Sequence, residues 1–130
     1  MQQAIKINLL LVLLFLASTA MAQIPNEIFL GIRNGNAQEL AKYMNSHVEL
    51  SVEQTDDVFK IEKATQILHD FFQKNPPINL RVIHQSVQAE QSYAIIKLET
   101  ENKSFQVTFL LRKKKESFAI YQLQIEESEL

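Results

Sequence analysis

The sequence predicts a single α+β domain, and three patterns along the chain favour this fold class. Apolar residues recur at helical spacing in residues 26–44 and again in residues 62–75. Between and after these segments, apolar and polar residues alternate with a period of two, in residues 47–53 and in four segments between residues 79 and 126. Two short helices, one or two strands, a longer helix and a four-strand meander describe helices packed on an antiparallel sheet.

Two short helices are predicted at the start of this domain. Pro25 suits the first turn of a helix, because the first N–H groups of a helix are unpaired in any case, and Gly35 suits the end of that helix. Asn36 is expected to cap the second helix, with Glu39 three residues later as in a capping box. The apolar face of the second helix comprises Ala37, Leu40, Ala41 and Met44.

The longer helix, from about residue 62 to residue 75, carries His69 beside Asp70, a pair that also occurs in some metal-dependent phosphohydrolases. The apolar residues of this helix fall within an arc of about 140°, and the pair lies outside that arc. The two side chains also point about 100° apart, so they do not face one ion together. A solvated helix face is therefore predicted instead of a hydrolase site.

The four final strands carry apolar residues on both faces of the predicted sheet. Phe105, Val107 and Phe109 share the face that is expected to be core. The opposite face carries Tyr93, Ile95, Leu110, Phe118 and Ile120. Because exposed apolar patches often mark interfaces, a homodimer through Tyr93, Ile95, Leu110 and Ile120 is predicted. Scattered exposed apolar residues, which are normal on protein surfaces, are the alternative.

The amino terminus has the parts of a secretory signal peptide. Lys6 gives a positive start, residues 9–17 are apolar, and Ala20 and Ala22 place small residues before Gln23. The apolar run is shorter than the roughly 20 residues that span a bilayer. We therefore expect residues 1–22 to be removed and residues 23–130 to form one domain in the periplasm or outside the cell, with no membrane span after cleavage. An uncleaved anchor is the alternative.

Composition excludes several function classes. Residues 23–130, which exclude Lys6, contain 12 Lys and Arg and 15 Asp and Glu, so their net charge is −3. A weakly acidic domain lacks the electrostatic footprint of a nucleic-acid-binding protein, and the basic run at residues 112–115 is expected at a solvated hairpin end. The chain has no cysteine, so it has neither disulfides nor thiol nucleophiles. Two glycines in the whole chain leave no phosphate-binding loop or nucleophile elbow.

The segments "IPNEIFLGIRNGNAQELAKYMNSHVELSV", "ATQILHDFFQKNPP", "VIHQS", "SFQVTFLLRKK" and "YQLQIE" carry a family resemblance. The most specific part is "FFQKNPP" followed within ten residues by "HQ". The chain resembles the secreted bacterial family catalogued as domain of unknown function 4783, although a Gly near Ser86 or Ile96 and an Arg at Gln106 would be expected. The resemblance implies the nuclear-transport-factor-2-like (cystatin-like) fold, a cone in which a curved sheet wraps a helix around a cavity. No activity is established for that family, so the resemblance implies no catalytic residue and no cofactor.

His84 and Tyr121 are the candidate ligand-binding residues. By strict alternation, His84 shares a strand face with Leu80 and Val82, and an inward-pointing face would place its imidazole in or near the cavity. A neutral imidazole there could bind a ligand or act as a general base, and a core histidine hydrogen-bonded to a neighbour is the alternative. The same count places Tyr121 on the opposite face from Tyr93.

No metal site is predicted. His47 and Glu49 share a strand face and could chelate a cation, but two ligands are too few for a tight site. The carboxylate base and tyrosine donor used by isomerases of this fold are not visible either, since the aspartates fall in a turn and on a wet helix face.

Two functions remain open at this point. The first is a non-catalytic binding or interaction module of the cell envelope, whose apolar cavity takes a small ligand or is packed shut. The second is an enzyme that uses His84 as a general base. The binding module is preferred, because an enzyme needs perturbed acid–base groups in a cleft and the sequence offers one candidate.

Overall fold

The computed structural model describes residues 23–129, so the predicted signal peptide at residues 1–22 lies outside the described residues. The helices are α1 (Asn26–Arg33), α2 (Ala37–Ala41) and α3 (Ile61–Lys74). The strands are β1 (Met44–Val52), β2 (Thr55–Lys60), β3 (Pro77–Val87), β4 (Gln91–Thr100), β5 (Ser104–Lys114) and β6 (Ser117–Ser128). Within residues 23–129, none of the helices has the length and apolar character that a membrane span requires.

The predicted boundary between α1 and α2 is confirmed. Gly35 adopts φ +62°, a left-handed conformation that glycine reaches without strain. The Asn36 side-chain oxygen accepts a hydrogen bond from the Glu39 backbone N–H at 3.2 Å, which caps α2. α2 ends at Ala41, earlier than predicted, and Met44 is the first residue of β1. The Ile120 backbone N–H donates to the Tyr43 carbonyl at 2.7 Å, which ties the chain to β6 where the sheet begins.

The six strands form one sheet in the order β2-β1-β6-β5-β4-β3. The β3 to β6 meander is antiparallel, as predicted, and the β1–β2 hairpin is antiparallel as well. β1 and β6 pair in parallel, which joins the two ends of the domain in the middle of the sheet. β2 and β3 are therefore the edge strands.

The helices cover one face of the sheet, which we call the inner face. α3 buries Ala64, Leu68, Phe71 and Phe72. The Phe71 ring packs edge-on against Phe105 at 5.0 Å between centroids, and the Phe29 ring packs edge-on against Phe109 at 5.6 Å. Each large apolar side chain buried here stabilises the fold by about 1.5–3 kcal/mol. Aromatic and aliphatic side chains thus fill the space between the helices and the sheet.

One extra residue at each of three points in the antiparallel ladders breaks the strict alternation that the sequence predicts, and the first of them is Ile78, between Pro77 and Asn79. In the β3–β4 ladder, Val82 pairs with Ile96 and His84 with Ile95, so Ile83 is an extra residue. In the β5–β6 ladder, Leu111 pairs with Ile120 and Leu110 pairs with Gln122, so β6 also contains one extra residue. An extra residue reverses which side chains face the core beyond that point.

Candidate functional site

The face of the sheet opposite the helices, which we call the outer face, is the candidate interaction surface. No described helix covers it, and the alternation of burial along β4 defines its residues. Its central residues are Tyr93, Ile95, Thr108, Leu110, Tyr121 and Gln122, all of them half-buried. The outer face therefore combines aromatic and aliphatic side chains with polar neighbours.

His84 lies on the outer face, and its predicted position at the interior cavity is wrong. The bulge at Ile83 places His84 opposite Ile95 instead of continuing the face of Leu80. The imidazole is exposed, with Nε2 3.1 Å from the hydroxyl oxygen of Tyr93. This pair agrees in part with the alternative of a histidine hydrogen-bonded to a neighbour, although His84 is not in the core.

The predicted position of Tyr121 on the core face is also wrong, because the bulge in β6 places its side chain on the outer face. Its half-buried ring lies under the guanidinium of Arg112, whose central carbon is 5.1 Å from the ring centroid. Together they help to line a groove of about 300 Å³ on the outer face. The other lining residues are Asn45, His47, Glu49, Val58, Leu110 and Gln122. Tyr93 and Tyr121 thus share one face of the sheet, contrary to the parity prediction.

The groove contains His47 and Glu49, the pair weighed as metal ligands. Both side chains are exposed, and the His47 ring nitrogen Nδ1 lies 3.4 Å from the Ser46 hydroxyl. Nowhere in residues 23–129 do three His, Asp or Glu side chains gather as a cation site would require. The groove presents separate charges and hydrogen-bonding groups instead of a chelating cluster.

Three of the four predicted interface residues lie on the outer face. Tyr93, Ile95 and Leu110 are half-buried there, but the placement of Ile120 is wrong. Ile120 is 0% exposed, because the bulge in β6 turns it toward the core beside Leu111.

The most exposed apolar side chains are concentrated on β3. Of the six large apolar residues that are exposed in the described chain, four lie on this edge strand. They are Ile78, Val82, Ile83 and Val87. Sequence reasoning missed this surface, because alternation within a strand does not reveal whether the strand has one neighbour or two. The sequence did contain a signal for this surface, because apolar residues occur at both odd and even positions of β3.

Two further grooves border the helices, each of about 500 Å³. One has an apolar floor of Phe71, Phe105 and Ile125, and Lys103 at its rim approaches Glu127 at 3.5 Å. The other lies between α2 and α3 and includes His69. His69 and Asp70 are exposed, and Asp70 accepts a hydrogen bond from Gln66 at 3.0 Å, so the solvated helix face is confirmed.

One ion pair perturbs a titratable group in the helical layer. The Lys42 ammonium donates a hydrogen bond to the Glu39 carboxylate at 2.9 Å. This hydrogen bond, together with the attraction between the two charges, raises the pKa of Lys42 above its ordinary value. The pair is exposed at the end of α2, so it belongs to the capping of this helix.

An open six-stranded sheet with helices on one face is the architecture of nuclear-transport-factor-2-like proteins. A nuclear-transport-factor-2-like protein of unknown function from Shewanella baltica has a similar structure, with a TM-score of 0.61 and 11% sequence identity. The alignment covers 81% of this chain and 88% of that chain. The similarity at this identity shows the fold, and it confirms the predicted fold class.

Within that class, the family model described as Domain of unknown function (DUF4783) matches residues 25–126, and the chain belongs to this family. A DUF4783 protein from Bacteroides ovatus is 32% identical, with a TM-score of 0.78 over 82% of this chain and 97% of that chain. One from Bacteroides uniformis is 26% identical, with a TM-score of 0.79 over 83% and 100%. No curated protein is significantly similar. The predicted family is thereby confirmed.

Proposed function

We propose that this protein is a non-catalytic binding module of the cell envelope that acts by contact through the outer face of its sheet. The observation that carries the proposal is the contrast between the two faces. The inner face is covered by helices over a packed core, with a groove of about 500 Å³ beside Phe71, Phe105 and Ile125, whereas the outer face presents half-buried Tyr93, Ile95, Leu110 and Tyr121 without a covering element in residues 23–129. Surfaces that mix aromatic, aliphatic and polar groups in this way suit recognition.

The alternative function, an enzyme with His84 as general base, has less support. A general base works best in a site that excludes water and holds the substrate within hydrogen-bonding distance. His84 is exposed on the outer face, and its Nε2 atom is engaged by the Tyr93 hydroxyl. The pair therefore fits a surface contact better than a catalytic centre.

The partner that we propose for the outer face is a second copy of the chain. Two outer faces would stack as sheets about 10 Å apart, with Ile95 and Leu110 near the centre of the contact. A stable dimer of this kind buries roughly 800 Å² on each subunit. A small apolar ligand held between the faces or in a groove is the second possibility carried by the same surface.

Native mass spectrometry on residues 23–130 tests the dimer and the ligand together. We expect twice the subunit mass for the wild-type chain and a monomer for Ile95→Lys, because the ammonium would be buried without a partner. The matched control is Leu30→Lys, which adds the same charge on α1 at a side chain that is 43% exposed, and which should remain dimeric. A wild-type monomer at every concentration would refute the dimer, and a reproducible extra mass would identify a bound ligand.

The variant His84→Ala separates the two functions. We expect the folded chain to keep its stability within about 1 kcal/mol, since an exposed hydrogen bond contributes little. We also expect it to keep its outer-face association, because Ile95 and Leu110, and not His84, form the centre of the proposed contact. Loss of a measurable activity with unchanged folding and unchanged association would favour the enzyme instead.

The location in the envelope rests on the sequence of residues 1–22. Expression of the full chain in a bacterial host, followed by fractionation and amino-terminal sequencing, tests it. We expect the exported form to begin at Gln23, after the small residues Ala20 and Ala22. A full-length chain retained in the cytoplasm would contradict this location.

A further inference from the structure

The two edges of the sheet differ in how they are protected from additional strands. β2 has six residues and carries Asp56, Asp57 and Lys60, which is the charged, short edge that resists pairing. β3 has eleven residues, and its side chains include Ile78 at 64% and Ile83 at 53% exposure. Pro77 and the bulges at Ile78 and Ile83 interrupt this edge, and the regular runs 79–82 and 84–87 remain open as a template for another strand.

The outer side of the β3 edge carries two cations next to each other. Arg81 pairs directly with Lys97 of β4 across the ladder. Like charges at directly opposed positions destabilise a sheet. Neither cation forms an ion pair within residues 23–129, and this includes Glu99, the acidic residue two positions along β4. A carboxylate supplied from outside would relieve this repulsion.

We propose that β3 accepts an extended, acidic and apolar peptide segment of a partner protein as a seventh strand of the sheet. Backbone hydrogen bonds to the open edge would supply most of the affinity, as in other cases of strand addition. A carboxylate on the outer side of the peptide would meet Arg81 and Lys97, and β-branched side chains on its inner side would cover Val82 and Val87. This site does not depend on the dimer proposed for the outer face.

A second copy of β3 fits this edge less well than an acidic peptide. β3 contains no carboxylate, so a second copy of this strand would bring no anion to Arg81. The ladder with β4 is irregular between Pro77 and Asn79 and between Val82 and His84. Two irregular edges are hard to align with each other, whereas a short peptide needs only one run of four residues, 79–82 or 84–87.

The experiment measures amide hydrogen exchange by NMR in residues 23–130, with and without a synthetic peptide. The peptide is acetylated, amidated Thr-Val-Glu-Val-Thr-Val, and its counterpart has Lys in place of Glu. We expect the Glu peptide to slow exchange of edge-facing amides between residues 79 and 87, and to bind about five- to tenfold more tightly than the Lys peptide. Arg81→Glu should abolish this preference, because the introduced carboxylate would pair with Lys97 across the ladder, while the control Arg33→Glu, which changes an exposed charge on α1, should preserve it.

Each result bears on the proposal. Slower exchange confined to β3, with the preference for the Glu peptide lost in Arg81→Glu, supports it. Unchanged exchange at millimolar peptide, equal affinity for the two peptides, or protection on another strand would overturn it. Protection of residues 79–87 that grows with protein concentration in the absence of peptide would also overturn it, since a second copy would then occupy the edge. Repeating the titration with Leu110→Lys, which changes the outer face on β5 and adds no charge beside β3, separates peptide binding from failure of the outer-face dimer.

Discussion

The neighbouring residues Ile120 and Tyr121 give the sharpest test of the bulge in β6. Strict alternation predicts a core Tyr121 and an outward Ile120, whereas the structure buries Ile120 completely and leaves Tyr121 half-buried under Arg112. Ile120→Ala removes three carbon atoms, which costs about 2.5 kcal/mol at about 0.8 kcal/mol each. Incomplete closure of the remaining cavity raises the expected loss to about 3–4 kcal/mol.

Tyr121→Ala is the matched variant, because both substitutions replace a residue of high β-propensity on the same strand with Ala. Its expected cost is about 1 kcal/mol, mainly the contact with the Arg112 guanidinium and part of the ring burial. Urea unfolding followed by circular dichroism measures both changes from the midpoints at a common slope. Thermal midpoints should fall on the order of 10–20 °C for Ile120→Ala and about 5 °C for Tyr121→Ala. Equal losses, or a larger loss for Tyr121→Ala, would refute the assigned register.

Two further predictions concern the turn that joins α1 to α2. Gly35→Ala should lower the free energy of unfolding by about 1–2 kcal/mol, because φ is +62° and an added Cβ would lie 3.0 Å from the Pro77 ring. A chemical denaturation midpoint equal to that of the wild type would contradict this expectation. Asn36→Ala should lower the free energy of unfolding by about 1 kcal/mol, because the hydrogen bond from the Glu39 N–H is lost. Asn36→Asp should retain most of this stability, since a carboxylate oxygen can accept the same hydrogen bond. Equal losses for the two variants in thermal unfolding would show that the cap is not stabilising.

Local patterns in the sequence were sufficient to predict most of the elements. The i, i+3, i+4 spacing identified α3 and its buried residues, and the same spacing placed His69 and Asp70 in solvent. The capping pair Asn36 and Glu39 located the start of α2 within one turn. Alternation in β5 identified the buried face that contains Phe109. Each of these signals lies within a few residues of the feature it predicts.

The candidate site was harder to predict, because bulges decide its residues. One extra residue in β3 moves His84 from the predicted cavity to the outer face, and one in β6 exchanges the positions of Ile120 and Tyr121. A bulge forms where paired strands must twist or bend together, so its position depends on both strands of the ladder. The sequence of either strand alone does not contain that information.

The sequence by itself determined the fold class and the order of helices and strands, because local periodicity and capping set these features, and the resemblance of its segments indicated the family. The tertiary structure decided that β1 pairs in parallel with β6, which leaves β3 at an edge with its apolar side chains exposed. Pairing between distant strands is a choice among many alignments of similar local patterns, and only the packing of the whole domain selects one. For that reason the open edge at β3 emerged only from the structure, whereas Tyr93, Ile95 and Leu110 of the outer face were already indicated by alternation in the chain.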